Sequence, residues 1–161
     1  MKRAVRIGVI GPGDANPDEL RMAEAVGRGI AERGGIVVCG GLGGAMEAVA
    51  RGAAQAGGFT IGILPGHDPD SANLYISLPV VTGMSHARNL VNVLTSQAVI
   101  AVGGAYGTLS EIALALKSRR PVVALKSWRL KEIGCDDALF MEAETPAEAI
   151  EKAFAAAGSA L

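Results

Sequence analysis

Short apolar runs, each closed by glycine and followed by a stretch of helical periodicity, recur along the chain. Val5-Arg6-Ile7-Gly8-Val9-Ile10 ends in Gly11-Pro12-Gly13 and predicts a buried strand closed by a turn. Asn16-Pro17-Asp18-Glu19 supplies a capping side chain, a proline for the first helical position and a glutamate at the third. Ala23, Val26, Gly27 and Ile30 then follow at helical spacing until Gly34-Gly35. Ile36-Val37-Val38-Cys39 repeats the strand pattern, runs into Gly40-Gly41-Leu42-Gly43-Gly44, and gives way to a predicted helix from about Ala45 to Ala56.

Thr60 to Leu64 predicts the next strand, and Tyr75 to Val81 an extended segment at a sheet edge, because Pro79 has no N–H for a ladder. A helix from about His86 to Ser96 precedes the strand Ala98-Val99-Ile100-Ala101-Val102. Beyond Gly103-Gly104-Ala105-Tyr106-Gly107-Thr108, the residues Leu109, Ile112, Ala113 and Leu116 fall on one helical stripe. Pro121 to Leu125 and Leu139 to Met141 predict two more strands, and Thr145-Pro146-Ala147-Glu148 opens a helix through about Ala157. Strands that are apolar throughout belong to a sheet covered on both faces. Their alternation with helices makes that sheet mainly parallel. The expected architecture is a three-layer α/β/α, Rossmann-like domain spanning residues 1–161.

Composition narrows the partners. The formal charge is −1, from 15 Lys and Arg against 16 Asp and Glu, which offers no basic field for a nucleic-acid backbone. No apolar stretch approaches the roughly 20 residues that cross a bilayer. Two widely separated cysteines, Cys39 and Cys135, and no signal-peptide pattern at Met1-Lys2-Arg3, point to a reducing, cytoplasmic setting. Cys39, at a strand end, reads as a small buried hydrophobe. His67 and His86 show no metal-ligand spacing, so no metal is expected.

In an open parallel sheet, the loops leaving the carboxyl ends of the strands share one edge, where ligands bind. Three glycine-rich loops fall there: Gly11 to Gly13, Gly40 to Gly44, and Gly103 to Gly107. Glycines bring backbone N–H groups close to a ligand, and a helix N-terminus adds a positive dipole end, so phosphate is the natural guest. The same glycines also suit tight strand-to-helix turns. None carries the Gly-Lys-Ser/Thr of a Walker A, and Gly11-Pro12-Gly13-Asp14-Ala15-Asn16 lacks the last glycine of a dinucleotide fingerprint.

Thr108-Leu109-Ser110-Glu111 has the form of a capping box. Glu111 therefore has two readings: a cap, or a carboxylate beside the crevice that accepts hydrogen bonds from ribose hydroxyls. If Ser85 caps the next helix upstream, Arg88 sits in its first turn. There a cation opposes the macrodipole by roughly 0.3–1 kcal/mol, a broken local rule that an anionic ligand would explain. An arginine reaching out into water is the other reading. Tyr106 suits either stacking on a base or shielding the loop.

His86-Ala87-Arg88-Asn89 and Gly103 through Glu111 resemble the signatures of the Lonely Guy (LOG) proteins and of their relatives, the molybdenum cofactor carrier proteins. Gly40-Gly41-Leu42-Gly43-Gly44-Ala45-Met46-Glu47-Ala48 looks like the second glycine loop of that superfamily, and Gly62-Ile63-Leu64-Pro65 like its next strand end. The LOG enzymes are phosphoribohydrolases that release a free base and ribose 5-phosphate, and their catalytic arginine and glutamate would fall on Arg88 and Glu111. Gly103 stands where those enzymes have proline, Ala105 where they have the second loop glycine, and Asn89 where they have lysine. These departures look closer to the carrier branch, which binds a phosphorylated pterin.

The resemblance thus implies a binding protein for a phosphorylated ligand, a nucleoside monophosphate or the molybdenum cofactor, and a homodimer or higher homo-oligomer. The alternative it leaves is a nucleotide-cleaving hydrolase. The expected ligand set is Gly11, Gly13, Gly40, Gly41, Gly43, Gly44, Met84, Arg88, Gly103, Gly104, Ala105, Tyr106, Gly107, Thr108 and Glu111.

Overall fold

The computed structural model describes residues 3–130 and 138–159. Seven parallel strands form one sheet: β1 (Arg6–Ile10), β2 (Ile36–Cys39), β3 (Phe59–Leu64), β4 (Leu78–Val81), β5 (Ala98–Val102), β6 (Val122–Leu125) and β7 (Phe140–Ala143), in the spatial order β4-β3-β2-β1-β5-β6-β7. Five helices connect or follow them: α1 (Pro17–Glu32), α2 (Ala45–Gln55), α3 (Arg88–Thr95), α4 (Tyr106–Lys117) and α5 (Pro146–Ser159). This is the α/β Rossmann-like fold that the strand–helix alternation predicts.

The central strand β5 shows why the sheet is buried on both faces. Ala98, Ile100 and Val102 join the core formed with α1, α2 and α5, while Val99 and Ala101 point to the opposite core, with Val93 of α3 and Ile112 and Ala115 of α4. Both alternating sets are apolar, so no face is left for water.

α1 starts as its sequence dictates. Asn16 Oδ1 accepts from the Glu19 N–H at 3.0 Å, and the Glu19 carboxylate accepts from the Asn16 N–H at 2.9 Å. α1 and α2 then cross backbone against backbone: a Cβ on Gly27 would lie 2.0 Å from the Val49 carbonyl oxygen, and one on Gly52 2.0 Å from that of Glu24. Neither position admits a side chain.

Three boundaries differ from expectation. Only Leu78–Val81 of the predicted 75–81 segment is strand; it is the parallel edge strand, and Pro79 is accommodated there because the far side needs no ladder bond. The predicted helix from His86 begins instead as a 3-10 turn, Ser85–Ala87, before α3. The last strand is Phe140–Ala143, shifted by one residue at its start and two at its end from the predicted 139–141. Cys135 lies outside the described residues.

Candidate functional site

The strand order reverses at β1: β2, β3 and β4 run out on one side, and β5, β6 and β7 on the other. At such a switch point the loops leaving the two central strands diverge and open a crevice. A cavity of about 290 Å³ lies there. Gly11, Pro12 and Gly13 from the β1 loop, Gly40 from the end of β2, Arg88 and Asn92 from α3, and Ala105, Gly107, Thr108 and Glu111 from the start of α4 border it.

Of the expected ligand set, Gly11, Gly13, Gly40, Arg88, Ala105, Gly107, Thr108 and Glu111 therefore meet in one place. Gly41, Gly43, Gly44, Met84, Gly103, Gly104 and Tyr106 do not line it. Packing explains several of these. A Cβ on Gly103 would strike the Glu19 side chain, and one on Gly104 would lie 2.8 Å from the Trp128 indole nitrogen. Gly44 has φ of +65° and sits against the Gly13 carbonyl, a turn that only a residue without Cβ makes cheaply. Met84 is exposed on the segment before α3, and Tyr106, 84% exposed, stacks on Trp128 with ring centroids 6.3 Å apart.

Two helix starts differ from those expected. Ser85 does not cap α3: it takes φ of +50°, unusual for a residue with a side chain, as the first residue of the 3-10 turn. Its N–H donates to the Pro65 carbonyl at 3.0 Å, which fastens the segment to the loop after β3. Arg88 does occupy the first position of α3, but its guanidinium neither opposes an empty dipole nor escapes to water. Its Nη1 donates to the Gly40 and Ile63 carbonyl oxygens at the ends of β2 and β3. Those carbonyls supply the negative potential that the helix start lacks, and Nε and Nη2 have no protein acceptor among the described residues.

Thr108-Leu109-Ser110-Glu111 is not a capping box in the fold. α4 begins three residues earlier, at Tyr106, with Ala105 as an N-cap that has no side chain to offer. Thr108 lies in the first turn and Glu111 in the second. α4 thus starts with its first N–H groups uncapped by any side chain, facing the crevice, whereas α1 closes its own. Gly107 has nothing within 4 Å of where a Cβ would stand, and the same is true of Gly13. Both are open on the side a ligand would approach.

Freed from capping, Glu111 accepts from Asn92 Nδ2 at 3.3 Å. Burial raises its carboxyl from the ordinary carboxylate value to about 7, against the lowering effects of the Asn92 hydrogen bond and the Arg88 charge. Burial also pulls the Arg88 guanidinium down, with Glu111 acting the other way. Near neutral pH, Glu111 is thus divided between a form that donates a hydrogen bond and one that only accepts. Asn92 is 2% exposed and Thr108 1%, yet Asn92 Oδ1 and Thr108 Oγ1 have no hydrogen-bond partner among the described residues. Buried polar atoms left in this way are uncommon, and here they border one cavity.

Cys39 is fully buried, its thiol pushed up to about 11 chiefly by burial, as suits a small hydrophobe rather than a nucleophile. His86 lines the crevice, while His67 packs against Gly83.

Sequence reading missed Asn92, Met46, His86 and Asn89 as lining residues. The signal for Asn92 was present: it is the polar residue one helical turn after Arg88, inside the apolar run Leu90-Val91-Asn92-Val93-Leu94.

A parallel sheet with a cleft of this kind at its switch point defines a Rossmann-like ligand-binding class of protein. Within that class, residues 4–153 match the model of the SLOG cluster4 family, and the chain belongs to that family. This places it in the LOG and molybdenum cofactor carrier superfamily that its motifs resemble. It is 39% identical to the molybdenum cofactor carrier protein of Chlamydomonas reinhardtii, with TM-score 0.88 over 98% of this chain and 99% of that one. The molybdenum cofactor binding protein of the phototrophic bacterium Rippkaea orientalis is also 39% identical, with TM-score 0.86 over 94% and 96% of the two chains. An uncharacterised protein of Archaeoglobus fulgidus is 47% identical over 124 residues, 77% of this chain and 82% of its own length.

Proposed function

We propose that the crevice at the β1/β5 switch point binds a phosphorylated small molecule of the pterin or purine nucleotide type, the molybdenum cofactor being the form its solved relatives suggest. The observation that carries this is the uncapped start of α4 at open Gly107, with Arg88 and Glu111 on the same cavity. The phosphate lies at the α4 N-terminus, where first-turn N–H groups and the dipole favour negative charge. Arg88 Nε and Nη2 supply further donors. The ring faces Asn92 and Glu111, whose oxygens accept from ring or amino N–H groups. The residues thus offer both donors for an anion and acceptors for a heterocycle.

The function is binding for delivery rather than turnover. The protein works as a homo-oligomer of one-domain chains. Calorimetric titration with molybdopterin, GMP, AMP and ribose 5-phosphate tests the reading. Binding of molybdopterin or a nucleotide, weakened at least about tenfold by Arg88→Ala, supports it; no heat with any of the four overturns it.

One observation favours a second reading. A carboxyl held near 7 beside an arginine is the equipment of an N-glycosidic hydrolase, in which Glu111 would stabilise positive charge at the sugar and position water. Release of free adenine from AMP, abolished by Glu111→Ala, would establish it. Gly103 and Ala105 in the signature loop weigh against it.

A further inference from the structure

The Gly103–Ala105 loop has a second side. Ala105 borders the crevice, and Gly104 lines a hollow of about 330 Å³ with Lys126, Ser127, Trp128 and Arg129. Lys126, Ser127 and Arg129 also border a space of about 280 Å³ at the carboxyl ends of β6 and β7. Both lie on the edge of the sheet that holds the crevice.

Three features distinguish this hollow. Lys126 adopts φ of +47° directly after β6, a strained conformation for a residue with a side chain and one that clusters at ligand sites. It has no ion-pair partner among the described residues, whereas Arg129 lies 3.8 Å and 4.0 Å from the Glu142 and Glu144 carboxylates. Ser127 Oγ is buried without a hydrogen-bond partner among the described residues. Trp128, packed on the core on one side, donates its indole N–H to the Ala105 carbonyl at 3.2 Å and borders the hollow with its ring. A cation with no ion-pair partner among the described residues, an orphaned hydroxyl and an aromatic ring bordering the same hollow together suit a phosphate joined to a flat ring.

We propose that this hollow is a second subsite, which takes the phosphate-bearing aromatic arm of a ligand whose first ring lies in the crevice. It rests on the reading of the crevice given above. A crevice of about 290 Å³ is at the small end for ligand sites and suits one ring system with its phosphate. The loop between the two cavities is crossed by a pyrophosphate, so the preferred ligand has two rings joined through phosphates.

Trp128 is the chain's one tryptophan and reports on the hollow directly. GMP and diguanosine 5′,5′-diphosphate are titrated against the full-length protein, with affinity from calorimetry and location from Trp128 fluorescence. The dinucleotide is expected to bind at least about tenfold tighter than GMP and to quench Trp128, which GMP does not. Lys126→Gln and, separately, Ser127→Ala remove most of that gain. Equal affinities, or a gain that survives both substitutions, overturn the second subsite and leave the crevice reading intact. Failure of both nucleotides to bind also overturns it, while the crevice reading is then decided by molybdopterin, AMP and ribose 5-phosphate.

Discussion

Two buried threonines, one in a strand and one in the first turn of a helix, are treated in opposite ways. Thr60, in β3 and fully buried, donates its hydroxyl to the Tyr75 carbonyl at 2.6 Å and accepts from the Ser77 N–H at 2.8 Å. Thr108, in α4 and 1% exposed, has no partner for its hydroxyl. On the β4 flank polar side chains tie one segment of the chain to another, as Asn73 Nδ2 does with the Leu42 carbonyl at 2.8 Å. At the crevice, Asn92, Thr108, Glu111 and half of Arg88 keep hydrogen-bonding capacity that the fold does not use. Equal burial therefore marks two different jobs, holding the chain and meeting something else.

The largest effect expected is on the residue that does both. Arg88→Ala strips the Gly40 and Ile63 carbonyls of their donor, at a cost of about 3 kcal/mol in urea unfolding, and lowers ligand affinity as well. Arg88→Lys, without the planar fork, recovers only part of either. If stability is unchanged in Arg88→Ala, the anchoring half of this account fails.

Glu111 comes next. Its folded pKa of about 7 lies above the ordinary carboxylate value of ~4.3, so between these values the folded protein holds more protons than the unfolded chain. Its contribution to stability is then fully present below about pH 4 and is lost as pH rises through 7, by at most about 4 kcal/mol. Urea midpoints from pH 5 to 8 should fall in the wild type, and Glu111→Gln should flatten that fall. A profile that rises through this range contradicts a buried, protonated Glu111.

The threonines give the direct contrast. Thr60→Val should cost roughly 1–3 kcal/mol, because it leaves the Tyr75 carbonyl without its donor. Thr108→Val should be neutral within about 0.5 kcal/mol yet weaken ligand binding. Equal losses of stability would remove the distinction between the two sites. Smallest of all, Gly107→Ala should stabilise α4 by under about 1 kcal/mol, since the position is helical and open, while the added methyl lowers ligand affinity.

The framework was legible because its signals are local. Asn16 and Glu19 meet three residues apart, and Pro79 marks an edge by its missing N–H alone. The site was legible only in part, because its decisive contacts are not local. Arg88 meets the Gly40 carbonyl 48 residues away in sequence, and no spacing within its own helix announces that. Thr108 and Glu111 satisfy the capping pattern, but the chain enters the helix earlier, and tertiary packing of Gly103 and Gly104 against Glu19 and Trp128 sets where. Glycine content alone did not separate the loop residues that face a ligand from those that face the protein.

The close crossing of α1 and α2 at Gly27 and Gly52 also governs how the cleft can move. With backbones in contact at two points, these helices form a stiff slab, and the Gly13 and Gly44 loops that open from it cannot shift independently. The opposite wall is built from a short helix entered through a 3-10 turn and held to Pro65 and Gly66 by single backbone bonds. Accommodation of a guest thus falls to residues 83–92, where amide hydrogen exchange should slow on loading, while the α1/α2 amides stay protected throughout.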